Sequence, residues 1–353
     1  MGKHSTPRAG QTIGVDVSDR TSRICVLDAA GRVEEEAKIP TTPPALRRWF
    51  GGRSRARVAL EVGTHSPWML GVLEDCGHEV LVANPRKLEL LSKSDSKSDR
   101  TDAELLARVA RADAKLLGPI RHRSAQAQAD RAVLRARDAL VRSRTMLVNH
   151  VRGSVKPFGV RISGCSTRSF SKRATELPDE IRDRVAPVLQ VLETINAQVR
   201  AYDERIEAML ERYPSTQLLR QVAGVGSLTA LAFVLTLDDP HRFHRSRRVG
   251  SYLGLRPRRS QSGAEDPQLH ITRAGDPVLR RLLVHSAHYI LGPFGPDTDL
   301  RRKGLALAAR GGKNAKKRAV VAVARKLAVL LHHLWITGEV YEPLHNTLRT
   351  EPA

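Results

Sequence analysis

Short apolar runs alternate with amphipathic segments over the first third of the chain. Three of these runs, TIGVDV, RICVLD and VEEEAKI, are typical of strands, and Ala29–Arg32 predicts a turn before the third. The pattern then predicts helices in alternation with strands. The predicted helices are Pro43–Phe50, Pro67–Cys76, Asn84–Leu91 and Asp102–Ala114, and the predicted strands are Arg57–Glu61 and Glu79–Ala83. A strand meander followed by β-α alternation predicts an α/β domain over residues 1–118.

Two long helices are predicted between residues 119 and 214. Apolar pairs recur every seven residues in the first helix, at Val133/Leu134, Leu140/Val141 and Leu147/Val148. Apolar residues of the second helix follow steps of four and three, which is the pattern of a coiled coil. Its seam consists of Val188, Leu192, Ile195, Val199, Tyr202, Ile206, Met209 and Tyr213. Pro187 suits the first turn of this helix and Pro214 its end. The helices pair within the chain or across subunits, and we favour a cross-subunit role.

The remaining residues, 215–353, predict a mostly helical domain. Its first feature is the glycine-containing segment Val222–Gly226, which lies between apolar segments in the manner of a helix-hairpin-helix. Gly224 and Gly226 allow backbone N–H groups to approach a phosphate without an intervening side chain. A plain turn between two helices is the alternative.

The chain is strongly basic, with 59 Lys and Arg against 37 Asp and Glu and a formal net charge of +22. A phosphate backbone is the most common partner of such a charge, although a ribosome-like or membrane-surface protein is also basic. Aromatic residues make up only 4%, which argues against binding by base stacking. Two clusters predict nucleic-acid contacts, with a solvated helix face as the alternative for the second. They contain Arg247, Arg248, Arg258 and Arg259, and then Arg310, Lys313, Lys316, Lys317 and Arg318.

Cellular location is predicted from cysteines and hydropathy. Cys25, Cys76 and Cys165 lie far apart and have no metal-type spacing, which indicates buried thiols in a reducing compartment. We expect no apolar run to approach the roughly 18 residues that are needed to cross a membrane. We therefore expect a soluble, cytoplasmic protein that does not bind membranes.

Four carboxylates are candidates for chemistry. Asp16 and Glu61 end apolar strands, where an uncompensated charge is costly, and Asp99 and Asp102 share one face of a helix start. The first and fourth strands of such a domain commonly lie side by side, so the four can converge at one sheet end. Two Mg²⁺ ions about 4 Å apart would then offset their repulsion and act on a phosphodiester. A helix cap is the alternative role for Asp99 and Asp102.

Two sets of motifs stand in the order found in a known family. The first set is IGVDVS, ALEVGTHS and KSDRTDAELLA, and the second is VAGVGSLTALAFV, RFHRSRRVGSYLGLRPRRSQSG and ITRAGDPVLRRLL. From about residue 11 to 336 the chain resembles the DEDD-type insertion-sequence transposases (insertion sequence 110/1111 family). The resemblance implies an RNase H-like, RuvC-like N-terminal domain in which Asp16, Glu61, Asp99 and Asp102 bind Mg²⁺.

The resemblance also implies a covalent nucleophile, Ser262 in Gln261-Ser262-Gly263, in the C-terminal transposase domain. Ser260 is the nearest rival, and Tyr252 is a further candidate within a segment that predicts packing. Arg273 stands where the family has a lysine and preserves its positive charge for a phosphate contact. Asp19 departs from the basic residue that is common in the family at that position.

The family's partners are donor and target DNA and a structured guide RNA, so that base pairing selects the sequence while the protein holds the backbone. Its members assemble as tetramers in which the metal domain of one subunit faces the serine domain of another, so we expect this chain to form a dimer or tetramer. Two alternatives remain open: a metal-dependent Holliday-junction-type nuclease without serine chemistry, and a basic protein that only binds nucleic acid.

Overall fold

The computed structural model describes residues 10–88, 99–263, 265, 267 and 269–348. The chain divides into two compact units, Met1–His122 and Arg123–Ala353. Unit 1 contains a five-stranded sheet and four helices. In chain order these are β1 (Thr12–Val17), β2 (Thr21–Leu27), β3 (Val33–Pro40), α1 (Pro43–Phe50), β4 (Arg57–Glu61), α2 (Ser66–Asp75), β5 (Glu79–Ala83), α3 (Pro85–Leu88) and α4 (Asp99–Ala112).

The sheet has the strand order β3-β2-β1-β4-β5. Strands β1, β2 and β3 pair antiparallel, whereas β4 and β5 run parallel to β1. The predicted adjacency of the first and fourth strands is confirmed, with Val15 opposite Leu60 in the register. The antiparallel strands β2 and β3 lie on one side of β1, and the parallel strands β4 and β5 lie on the other. The strand order therefore reverses at β1, which is the switch point of the topology.

Helices cover both faces of the sheet, because successive side chains of a strand point to opposite faces. Ile13 and Val15 of β1 pack in one core with Val58 and Leu60 of β4 and the helices α1 and α2. On the other face α4 packs against the sheet, where its residues join Ala59.

The predicted elements of unit 1 are confirmed, with shifted ends for two helices. The bounds of α1, β4 and β5 agree with the prediction. Helix α2 begins at Ser66, and α4 begins at Asp99 rather than Asp102, because this polar segment continues the helix by one turn. The predicted helix Asn84–Leu91 is described only as α3, and its last residues lie outside the described chain.

Unit 2 is helical, and its helices bracket a central apolar core. They are α5 (Ala125–Ser154), α6 (Phe170–Ala174), α7 (Asp179–Met209), α8 (Ser215–Leu219), α9 (Ser227–Leu237), α10 (Arg247–Tyr252), α11 (Pro277–Leu291), α12 (Asp299–Ala309), α13 (Ala315–Thr337) and α14 (His345–Leu348). The coarse prediction of an α/β N-terminal domain and a helical C-terminal region is confirmed. The further division of unit 2 at residue 214 stays a prediction.

Helices α5 and α7 pair with each other inside the chain as an antiparallel hairpin. Arg137 near the middle of α5 forms an ion pair with Asp203 of α7 at 2.5 Å. Arg144, further along α5, donates a hydrogen bond to Asn196, earlier in α7, at 2.9 Å, so the two helices run in opposite directions. Five residues of the predicted seam are buried, namely Leu192, Ile195, Val199, Ile206 and Met209, whereas Val188, Tyr202 and Tyr213 are half-buried. A cross-subunit role for these helices stays a prediction.

The expected start of α7 at Pro187 is wrong. The helix begins two turns earlier, after Pro178, and Pro187 lies inside it. Asp179 and Glu180 in the first turn favour this start because they complement the positive end of the helix dipole. Pro187 removes only one backbone donor, and burial of Ile181 and Val185 on the same helix compensates.

Helix α13 is the central helix of unit 2. By length and composition alone it is long and apolar enough to cross a membrane, contrary to the expectation that no run approaches that length. Val323, Leu327 and Leu331 are all fully buried among the other helices of the unit. Its apolar character is therefore accounted for by the core of unit 2.

Candidate active site and basic groove

Asp16 and Glu61 lie at neighbouring strand ends on the same face of the sheet. Asp16 follows Val15 and Glu61 follows Leu60, and these two apolar residues are opposite each other in adjacent parallel strands. Since Val15 and Leu60 face the core of α1 and α2, the next residue of each strand faces α4. Both carboxylates are half-buried. They therefore lie beside the crevice at the carboxyl ends of β1 and β4, next to the switch point, where open α/β sheets bind ligands.

Helix α4 lies directly against β1 at Gly14, two residues before Asp16. A Cβ atom at Gly14 would overlap the carbonyl oxygen of Ala103 and stand 2.6 Å from the amide nitrogen of Ala107. This close approach fixes the N-terminal half of α4 on the sheet and places half-buried Asp102, the neighbour of Ala103, towards the same end. We call the ends of β1 and β4, together with Asp102, the carboxylate edge.

The described geometry stops short of a complete metal centre. Asp99 is the first residue of α4, and its side chain lies outside the described part of the chain. Among the described residues, no three His, Cys, Asp or Glu side chains are grouped closely enough to hold a metal ion. The donors at the carboxylate edge are all carboxylate oxygens, which is the ligand type that Mg²⁺ prefers.

A second polar pair, which the sequence did not predict, lies at the same end of the sheet. His65 begins α2 just after β4, and its Nε2 lies 3.1 Å from Oδ1 of Asp19, which follows β1. The indole N–H of Trp68 donates to Nδ1 of His65 at 3.2 Å. Because an indole nitrogen can only donate, the imidazole proton is on Nε2 and points to Asp19. Forty-six positions separate Asp19 and His65, so only the pairing of β1 with β4 brings them together.

Ser262 lies at the tip of a hairpin, which we call the serine hairpin and whose two described arms are residues 256–263 and 269–272. At its base, the amide of Arg258 donates to the carbonyl of His270 at 2.8 Å, and that of Thr272 donates to the carbonyl of Arg256 at 2.9 Å. At its tip, Ser262 and Glu265 exchange both backbone hydrogen bonds, and Gly263 turns the chain with a φ of 56°. Ser260 and Ser262 are both exposed.

A groove of about 2040 Å³ crosses unit 2 between α10, α12 and α13. Among the described residues that line this basic groove, nine are lysine or arginine and three are acidic. Pro257 and Ile271 from the base of the serine hairpin lie in its walls. Five of the predicted nucleic-acid contacts also lie there, namely Arg247, Arg273, Arg310, Lys317 and Arg318. The other predicted basic contacts are exposed but lie outside these walls. They are Arg248, Arg258, Arg259, Lys313 and Lys316.

Two transposase family models match the chain, one in each half. A DEDD transposase model of the IS110 type matches residues 13–158, and a model described as the transposase IS116/IS110/IS902 family matches residues 216–298. The chain belongs to the IS110/IS116 family of insertion-sequence transposases. Such transposases act on DNA and commonly use a divalent metal. The first match contains Asp16, Glu61 and Asp102, and the second contains Ser262.

Curated transposases are similar to this chain over most of their length. The transposase for insertion sequence element IS1111A of Coxiella burnetii is 29% identical, and the match covers 93% of this chain and 90% of the relative. A probable family 20 transposase of Pseudomonas aeruginosa is 28% identical, with 94% and 98% covered. The transposase for insertion sequence element IS1328 of Yersinia enterocolitica is 28% identical, with 78% and 82% covered.

In this transposase-family chain, Gly224 has a packing role that the sequence did not predict. Helices α8 and α9 flank the glycine-containing loop, in which Gly224 has a φ of 82°, and the helix-hairpin-helix role of this segment stays a prediction. A Cβ there would lie 3.0 Å from a ring carbon of Tyr289 and 3.1 Å from the carbonyl oxygen of Ser286. This glycine therefore lets the loop pack on α11. Gly226, before the first turn of α9, has open space where a Cβ would be.

Tyr252 and Arg273 differ in what surrounds them. The Tyr252 hydroxyl accepts from Arg123 at 2.8 Å and its ring packs on Phe243, while Leu253 beside it is fully buried, as the packing prediction required. Arg273 is exposed in the groove wall with a φ of 53°, which is uncommon for a residue with a side chain. Such strain is often found at functional positions.

Proposed function

We propose that this chain cuts and rejoins DNA strands at the ends of its insertion sequence, with the carboxylate edge binding a divalent metal and Ser262 acting as nucleophile. The observation that carries the proposal is the placement of Asp16 and Glu61 at matching positions of adjacent parallel strands, on the face that α4 covers with Asp102. Two carboxylates on one face at a strand-end crevice provide the oxygen ligands that a hard divalent cation prefers.

The fold of unit 1 is, in this proposal, RNase H-like and similar to a RuvC resolvase. The supporting feature is the sheet itself, in which three antiparallel strands adjoin two parallel ones in the order β3-β2-β1-β4-β5. In that arrangement the central strand and its parallel neighbour bring acidic residues to one edge, and a helix behind them supplies the rest.

Asp16, Glu61, Asp99 and Asp102 would hold the metal, which we propose to be Mg²⁺, with two ions per site. When bound, Mg²⁺ supplies positive charge that stabilises the attacking and leaving oxygens of a phosphodiester. The protein's part is to hold the carboxylates in place. Gly14 does this by letting α4 rest on β1, and the parallel register of β1 and β4 does it for Asp16 and Glu61.

Ser262 suits a covalent step because it is exposed at the tip of a tight turn followed by Gly263. Its Oγ would form a bond to the phosphorus, the bond from phosphorus to the sugar oxygen would break, and that oxygen would leave as a hydroxyl. The serine proton passes to solvent and the leaving oxygen gains one, so the step is balanced. Reversal with a different sugar hydroxyl rejoins the strand.

The carboxylate edge is tested by Asp16→Asn in a DNA cleavage assay with Mg²⁺. We expect cleavage to fall by at least about 1000-fold, because the metal supplies several kcal/mol of charge stabilisation, while DNA binding stays near the wild-type level. Asp75→Asn is the matched control, since Asp75 is exposed at the end of α2. Unchanged cleavage by Asp16→Asn would exclude the metal-binding role.

The serine is tested by trapping a covalent protein–DNA adduct. We expect Ser260→Ala to form the adduct and Ser262→Ala to form none, with circular dichroism showing that both fold. If Ser262→Ala still forms the adduct and Ser260→Ala does not, Ser260 is the nucleophile. If the wild type cleaves DNA with Mg²⁺ and never forms an adduct, the chain is instead a metal-dependent nuclease of the Holliday-junction type.

A structured RNA is, in our proposal, the partner that selects the donor and target DNA sequences. The net charge of +22 and the 4% aromatic content suit a protein that holds backbones and leaves base recognition to pairing. We expect one RNA species to be enriched in RNA sequencing of the protein purified from a host that carries the insertion sequence. We also propose a dimeric or tetrameric assembly, acting on DNA in the bacterial cytoplasm at the nucleoid.

A further inference from the structure

Four basic side chains from three helices meet in the wall of the basic groove. Arg247 begins α10, Lys303 lies in α12, and Arg325 and Lys326 lie in α13. We call them the cation cluster. Only Arg247 of the four was predicted from the sequence as a nucleic-acid contact, because the sequence does not show that the other three, which lie in two later helices, face the same groove.

Close packing of α12 on α13 brings two of these charges together. A Cβ atom at Gly304 would stand 2.6 Å from Cγ2 of Val323, so the two helices approach more closely there than any other residue would allow. Lys303 is the neighbour of Gly304, and Lys326 follows Val323 by about one turn. Both lysines therefore lie in the same wall of the groove.

Arg325 is held in place by a second glycine. A Cβ atom at Gly250 of α10 would lie 2.9 Å from Cγ of Arg325 and 3.3 Å from its Nε. The arginine stem therefore lies flat on the α10 backbone, and its guanidinium is directed along the groove wall that α10 and α13 share. A cation whose side chain is already ordered loses less entropy when it binds an anion.

The cation cluster has no acidic counterpart. Within the described chain, none of the four side chains forms an ion pair with a carboxylate, and the three acids of the groove have other partners. Asp299 accepts hydrogen bonds from Asn346, Glu339 pairs with His333, and Glu342 pairs with His345.

Such an arrangement is unfavourable without a ligand. Like charges in one groove wall repel each other, and the repulsion is stronger beside a protein surface than in bulk water. The consequence is visible at Lys326, where partial desolvation, the Lys303 amine and the charges of Arg247 and Arg325 hold the pKa below its usual value. An anion between the two lysines would reverse this repulsion.

We propose that the cation cluster is a phosphate-binding subsite that grips one phosphodiester group of a nucleic-acid backbone lying in the basic groove. The groove is large enough for several nucleotides, at about 2040 Å³, and its walls continue to the base of the serine hairpin at Pro257 and Ile271. The subsite thus fixes a strand in the same unit that carries Ser262. This inference deepens the proposed function, on which it rests for the identity of the strand.

The test is binding without Mg²⁺, so that its result does not depend on cleavage. Fluorescence anisotropy would measure the affinity of Lys303→Gln/Lys326→Gln for a DNA duplex and an RNA duplex of about 20 base pairs across a salt series. The control, Lys156→Gln/Lys172→Gln, removes two exposed charges of unit 2 outside the groove. A third variant, Lys303→Arg/Lys326→Arg, keeps the charge.

Each phosphate that a protein neutralises contributes about 0.9 to the steepness of log K against log salt and about eightfold in affinity at about 0.1 M salt. Because both lysines contact the same phosphate, we expect the Gln pair to lose about eightfold in affinity and about 0.9 in steepness, the control pair to lose little, and the Arg pair to bind like the wild type. A loss with DNA alone or RNA alone identifies the strand that occupies the groove. Equal small losses for the Gln pair and the control, with both duplexes, would overturn the subsite and leave the carboxylate edge and Ser262 untouched.

Discussion

Gly14 is the position at which the geometry of the carboxylate edge is most open to test, and Gly14→Ala is the perturbation. The new methyl group would overlap the carbonyl oxygen of Ala103 and lie 2.6 Å from the amide nitrogen of Ala107. Both atoms belong to the backbone of α4, so neither can rotate away. Carbon atoms in ordinary contact lie about 3.5 Å apart, and α4 must therefore move outward by about 1 Å.

Two measurable effects follow from this displacement. Overfilling a packed interface costs about 1–3 kcal/mol, and the small cluster of Cys25, Leu27, Ala103 and Ala107 loses its contacts as α4 moves. Asp102 moves with the helix, and a shift of about 1 Å at a catalytic group typically costs about 100-fold in rate. We expect Gly14→Ala to lower both the stability of unit 1 and the rate of DNA cleavage.

The assays are urea unfolding of the full chain, hydrogen exchange of the α4 amides, and DNA cleavage with Mg²⁺. Gly71→Ala in α2 is the control, because a Cβ there has nothing within 4 Å and alanine favours a helix over glycine by up to about 1 kcal/mol. If Gly14→Ala unfolds and cleaves like Gly71→Ala, α4 does not lie on β1 as described, and the placement of Asp102 loses its basis.

Three further predictions concern unit 2 and the assembly. Asp276→Ala should lower the free energy of unfolding in urea by about 3–5 kcal/mol, because it leaves the buried charge of Arg131 without its carboxylate and removes the N-cap of α11. Asp297→Ala is the control, and loss of its exposed ion pair with Arg302 should lower the free energy of unfolding by no more than about 1 kcal/mol. Burial and the neighbouring Asp130 raise the pKa of Tyr213 to about 12, so its contribution to stability is complete below pH 10 and is lost as the pH rises through 12. Stability of the wild type should thus fall more than that of Tyr213→Phe over this range, and parallel curves would contradict the assignment. Subunits carrying Asp16→Asn and Ser262→Ala, each inactive alone, should regain cleavage when co-expressed if different subunits supply the carboxylates and the serine; no recovery would place both on one subunit.

Asp130 shows how a buried acid is stabilised without any metal. Burial alone would raise the pKa of Asp130, but hydrogen bonds from Tyr213, Gln126 and Arg212 outweigh it, and the pKa lies below its usual value. Asp16 and Glu61 are different, because they lie at open strand ends rather than inside a helical core. A buried acid in this chain is therefore not by itself evidence for a metal site, and it is the position at the sheet edge that supports one.

Local pattern was sufficient to predict the elements of unit 1, since the alternation of apolar residues along β1 and β4 determines which face each side chain occupies. It also placed Asp16 and Glu61 at strand ends, and the adjacency of those strands followed from the usual topology of such domains. The start of α7 was missed because proline usually marks a first turn, whereas here the charged residues before Pro187 begin the helix and burial of its apolar side maintains it.

The sequence alone did not predict the contacts between distant segments, and the detail of the candidate sites depends on those contacts. Asp19 and His65 are adjacent only because β1 and β4 pair in parallel. Lys303 and Lys326 share one wall of the groove because Gly304 lets α12 pack closely on α13. Packing accounts for Gly304, because a Cβ there would stand 2.5 Å from Cδ2 of Leu291 and 2.6 Å from Cγ2 of Val323. The same packing brings Lys303 to the wall that Lys326 lines, and the phosphate subsite that we propose depends on that placement rather than on either lysine alone.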